Sequence, residues 1–102
     1  MSAEFALRRE DIEHLCQRFQ VRRLELFGSA ADGRFSAASS DVDFLVEFSP
    51  LAPGAYADCY FGLREALEEL YGRPVDLVVD SAIKNPYFRQ AVEQSKVLVY
   101  AA

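Results

Sequence analysis

Apolar residues recur at Ile12, Leu15, Cys16 and Phe19, the i, i+3, i+4, i+7 spacing of one helical stripe, and predict a first helix over residues 8–19. His14, the single histidine, falls off that stripe and reads as a solvated helix residue. The pattern then changes period. Residues 21–27 read as a strand, and 28–40, rich in Gly, Ser, Ala and Asp, as a loop that holds one short helical turn at 29–32. Residues 42–48 are almost continuously apolar, the mark of a strand buried on both faces. After the Ser49-Pro50 and Pro53-Gly54 breaks, Tyr56, Tyr60, Leu63, Leu67 and Leu70 recur at steps of four and three, a long helix whose aromatic residues read as core. Gly72 stands where a C-cap belongs. Pro74 opens a strand over 75–79, taken as buried like 42–48, Pro86 opens a last helix over 86–95, and 97–100 close the chain as a strand.

This alternation predicts an α/β fold, a mixed sheet of about four strands flanked by helices. The length, 102 residues, fits one domain over 1–102. No apolar run approaches the ~20 residues of a membrane span. The first ten residues carry Glu4 and Glu10 and lack the apolar stretch of a signal peptide. Cys16 and Cys59 follow no metal or redox spacing and read as small buried hydrophobes, which points to a reducing, cytoplasmic setting. The net charge of −5 argues against direct nucleic-acid or membrane binding. It suits a phosphate-handling site if the acids gather around cations, since two divalent ions would nearly neutralise it.

The candidate chemistry lies at strand ends. Asp41 and Asp43 flank Val42, so on a strand both carboxylates project to one face. At ~4 Å two such charges repel by ~4 kcal/mol in an effective dielectric near 20, a cost that a divalent cation would convert into binding. Asp76 interrupts the apolar run Val75 to Val79, where an unpartnered buried carboxylate would be expensive. If 75–79 lies beside 42–48, all three acids reach one site, the usual protein share of a two-metal phosphoryl-transfer centre. Gly28-Ser29 ends the strand over 21–27: glycine permits close backbone approach, and amides at a helix start attract phosphate. Taken singly, Asp-X-Asp also fits a solvated strand end and Gly-Ser any turn. Their order is the specific signal.

That order resembles the minimal nucleotidyltransferases of the DNA polymerase β superfamily, the MNT half of HEPN/MNT toxin–antitoxin pairs. The matching stretches are Leu24 to Gly33, with Gly28-Ser29-Ala30-Ala31-Asp32-Gly33, and Ser39 to Phe48, with Ser40-Asp41-Val42-Asp43. Pro74 to Val78, Ile83 to Tyr87 and Val97 to Tyr100 resemble the remainder of the fold. The resemblance implies Mg²⁺, two ions, held by Asp41, Asp43 and Asp76. It implies ATP as nucleotide donor, with its triphosphate on Gly28 and Ser29, and AMP transfer onto a tyrosine of a cognate HEPN toxin in a hetero-oligomer. Asp76 would also orient or deprotonate the attacking hydroxyl. Two departures stand out. Ala30 and Asp32 occupy positions where the family often carries Arg, which Arg34 or Lys84 would have to replace, and the 11 residues between Ser29 and Asp41 are about one more than usual. The alternatives are a domain that neutralises a toxin by docking alone, through apolar surface from 56–71 or 86–100, and a nucleotide sensor without turnover.

Overall fold

The computed structural model describes residues 8–28 and 41–102. Ser29, Ala30, Asp32 and Arg34, and the helical turn expected at 29–32, lie outside the described residues, as does the start of the chain. The elements are α1 (Arg9–Arg18), β1 (Val21–Phe27), β2 (Val42–Phe48), α2 (Ala55–Tyr71), β3 (Val75–Val79), a 3₁₀ turn (Asp80–Ala82), α3 (Pro86–Ser95) and β4 (Val97–Ala101). Every expected helix and strand is present. The 3₁₀ turn is an addition. The four strands form one sheet in the order β3-β2-β1-β4. β1 runs antiparallel to β2 and β4, and β2 and β3 are parallel, so the sheet is mixed.

Local chemistry fixes the ends of these elements. Gly72 closes α2 in the left-handed conformation at φ 67°, and its N–H donates to the Glu68 carbonyl at 2.8 Å. The Glu68 carboxylate accepts from the Val75 N–H at 3.0 Å, tying the end of α2 to the start of β3. Asn85 caps α3, its Oδ1 accepting from the N–H groups of Tyr87 (2.8 Å) and Phe88 (3.2 Å), with Pro86 at the first turn.

One face of the sheet is sealed. Ile12 and Cys16 of α1 and Leu63, Leu67 and Tyr71 of α2 pack on Leu24, Leu26, Val42, Phe44, Val46, Leu77 and Val99. Burying such side chains contributes roughly 1.5–3 kcal/mol each, so this layer supplies most of the driving force. Cys16 belongs to it. Burial, with Glu13 nearby, pushes its thiol up to about 12, which leaves it an inert hydrophobe. Cys59 is also buried and free, and His14 is exposed off the stripe.

The opposite face is covered only in part, by α3. Its Val92 closes a small cluster with Phe27 and Leu45, flanked by Val78 and Ile83. Two expectations need correction here. β3 is an edge strand rather than one buried on both faces: only Val75 and Leu77 are buried along it, and Asp76 is exposed. Tyr56 is not core. Its ring meets Phe48 and Tyr60, yet it is 47% exposed, and Phe61, off the buried stripe of Cys59, Leu63, Leu67 and Tyr71, is 58% exposed.

Candidate active site on the open sheet face

The Val42 N–H donates to the Pro74 carbonyl at 3.1 Å, and this bond sets the parallel register of β2 and β3. Val42 then stands opposite Val75, and Asp43 opposite Asp76. Residues paired across neighbouring strands share a face. Asp43 also pairs with Phe27 of β1, so it lies between the last residue of β1 and the second residue of β3. Asp41 precedes β2 and is exposed, Asp43 is half-buried, and Asp76 is exposed at the edge.

The charges of Asp76 and Asp41 are both felt at Asp43. Burial pushes the Asp43 carboxyl up to about 6, with the like charges of Asp76 and then Asp41 adding to the rise. Among the described residues no ion pair reaches Asp43. Nor do three Asp, Glu, His or Cys side chains among them stand close enough to close a metal cage. That arrangement fits Mg²⁺, which takes one or two carboxylates together with substrate phosphates rather than an all-protein cage. The donor set is hard oxygen and nothing else.

Gly28 completes the described part of the site. Its φ of 74° is left-handed, and a Cβ there would collide with the Asp43 carboxylate. Glycine is therefore required both by the backbone and by the space. The Gly28 N–H donates to Ser95 Oγ at 3.3 Å, and Ser95 donates in turn to the Ala91 carbonyl at 3.3 Å. The strand end is thus tied to the end of α3. Beside it runs a groove of about 480 Å³ lined by Phe27, Gly28, Phe88, Ala91, Val92, Gln94 and Ser95. Phe88 meets Phe27 edge-on at 6.0 Å. Lys84, named above as one cation that could replace the missing Arg, is exposed. Ser95 escaped the reading of the sequence because it lies 67 residues from Gly28 with no motif around it.

Acidic residues on two adjacent parallel strands, with a glycine turn against one of them, define the class as a nucleotidyl-transfer fold. The nucleotidyltransferase domain model matches residues 9–99, and the chain belongs to that family. It is 40% identical to the protein adenylyltransferase MntA of Thermococcus cleftensis over 73 residues, covering 72% of this chain and 70% of that one. A solved structure of a candidate minimal nucleotidyltransferase matches with a TM-score of 0.72 at 34% identity, over 90% of this chain and 89% of the other. The complex of a tri-AMPylated Shewanella oneidensis HEPN toxin with an MNT antitoxin matches at a TM-score of 0.65 and 18% identity, over 96% and 73% of the two chains, a likeness of fold. The chain is therefore an enzyme domain of the nucleotidyltransferase class with a nucleotide as substrate. Among the described residues no helix is long and apolar enough to cross a membrane.

Proposed function

We propose that this domain transfers AMP from ATP to a hydroxyl of a partner protein, a tyrosine of an HEPN toxin, and so acts as an antitoxin. The observation that carries this reading is the in-register pairing of Asp43 with Asp76 beside Gly28. The protein adenylyltransferase relative supports AMP and a protein acceptor. The whole of 1–102 is taken as one minimal catalytic unit. Two free, buried thiols suit a reducing cytoplasm.

Asp41, Asp43 and Asp76 would hold Mg²⁺, two ions being expected; when bound, it neutralises charge on the reacting phosphate. Asp43 would be one of its ligands, placed between β1 and β3 and partly withdrawn from water. Gly28 would give the triphosphate its closest approach, and Ser29, next in sequence, would add a hydroxyl. Asp76, exposed on the edge strand, is open to an acceptor hydroxyl arriving from solvent. As the acceptor oxygen bonds to the α-phosphorus, the bond to the bridging oxygen breaks. Pyrophosphate leaves with that electron pair, and the acceptor proton passes to Asp76. Positioning and electrostatics supply the rate.

The test is transfer of labelled AMP to the co-expressed toxin by the wild-type chain and by Asp43→Asn. Label on a toxin tyrosine with the first and none with the second is the expected result. Full transfer by the variant would refute the assignment.

One observation favours a second reading, neutralisation by docking. Tyr56 and Phe61 expose large aromatic surface beside the edge strand β3, where a monomer usually hides it. Undiminished toxin neutralisation by a chain with Asp41, Asp43 and Asp76 all changed to Asn would favour docking over chemistry.

A further inference from the structure

Ser95 is the last residue of α3 and takes no part in the chemistry above, yet its hydroxyl is the partner of the Gly28 amide. Gly28 sits where one methyl group would strike Asp43, so small shifts of its peptide move the wall against which that carboxylate rests. The other end of the link is firm, since Val92, 1% exposed, pins α3 to Phe27 and Leu45. Ser95 also donates to Ala91 one turn back, which fixes its rotamer and leaves its lone pairs toward Gly28. A glycine in the left-handed region has no side chain to hold it there, and an outside acceptor on its N–H supplies that restraint.

We infer that Ser95 is a positioning residue: by accepting the Gly28 N–H it holds the end of β1 against Asp43 and so presets the divalent-cation and triphosphate seat. This inference rests on the function proposed above. It concerns the hydroxyl rather than the packing volume, so Thr should substitute and Ala should not.

The test uses the full chain as wild type, Ser95→Ala and Ser95→Thr. Amide hydrogen exchange at Gly28 is followed by NMR without nucleotide, and Mn²⁺ binding in the presence of ATP by electron paramagnetic resonance of the free ion. Loss of one hydrogen bond should raise Gly28 exchange and weaken Mn²⁺ binding by about five- to tenfold in the Ala variant. The Thr variant should stay within about twofold of wild type on both readouts. Exchange at Val92 and the thermal midpoint report general loosening, and both should be nearly unchanged. Gly28 exchange in Ser95→Ala equal to wild type would overturn the inference, as would equal losses in the Ala and Thr variants. Unchanged Mn²⁺ binding alongside faster Gly28 exchange would overturn it too. If the wild-type chain itself fails to bind Mn²⁺ with ATP, the metal-dependent function and this inference fall together. If it binds and only the Ser95 effect is missing, the inference alone falls.

Discussion

Glu25 and Asp43 lie on the same open face of the sheet, on neighbouring strands, and the protein treats them in opposite ways. Glu25 pairs across the sheet with Leu45, two residues along β2 from Asp43, and is only 6% exposed. Arg23 (3.4 Å) and Lys96 (3.6 Å) neutralise it. The pairing continues through Lys96 to Glu93, then Arg89, then Asp80 at 2.7 Å, a chain of charges that staples α3 to the sheet around a small polar cavity of about 150 Å³. At the other end Asp43 faces Asp76 and Asp41, and its carboxyl is pushed up rather than stabilised as an anion. A carboxylate that supports the fold is given cations. One that is denied them among the described residues, and set among like charges, is arranged for a cation from outside.

Four changes would break or sharpen this contrast. The largest effect belongs to Asp43→Asn, which should cut AMP transfer by at least about 10³-fold. The fold should gain from it: removing like-charge repulsion at a half-buried site should raise stability at pH 7 by about 1 kcal/mol, after discounting for solvent screening, measured by thermal unfolding. Next, Asp76→Asn should lower transfer by about 10²-fold and move the acid limb of the rate profile to lower pH, because Asp43 loses its main like-charged neighbour.

Gly28→Ala comes third. A left-handed backbone with a Cβ, together with collision against Asp43, should cost about 2 kcal/mol and reduce transfer, read from denaturant midpoints and rates. At the Glu25 end the sign of the expectation reverses. Lys96→Met strands a buried carboxylate with only Arg23 beside it and should lower stability by about 2–3 kcal/mol while leaving the affinity for Mg²⁺ and ATP nearly unchanged. Equal loss of binding in this variant and in Asp43→Asn would erase the distinction between the two ends.

The pH dependence of stability follows from the same shift. The Asp43 carboxyl is raised from 3.8 to about 6 in the folded chain, so between those values the folded state binds the proton more tightly than the unfolded one. Its contribution to stability is therefore highest below pH 4 and is lost as pH rises to about 6. Asp43→Asn should lack that slope in a series of unfolding curves.

Much of this was legible along the chain, for identifiable reasons. Periodicity located the three helices and four strands of the described residues because each buries one stripe or face, and Gly72 and Pro86 marked ends that backbone chemistry dictates. The Asp-X-Asp pair and Asp76 stood out because carboxylates interrupt apolar strands. Less legible was which strand lies at an edge. Val75 to Val79 reads as apolar as Val42 to Phe48, yet among the described residues nothing pairs beyond β3, so Asp76 is exposed and escapes the burial cost. The exposure of Tyr56 and Phe61 was hidden too, since a helix pattern shows a stripe but not how far the sheet beneath covers it. The Ser95 link and the Glu25 network depend on contacts between α3 and β1, far apart in sequence, and left no local mark.

The most direct measurement is a carbon-13 NMR titration of the Asp43 carboxyl with and without Mg²⁺. The expected result is a carboxyl that titrates near 6 in the free chain and well below that when Mg²⁺ is present. A carboxyl that titrates in the ordinary aspartate range and does not respond to Mg²⁺ would contradict the account.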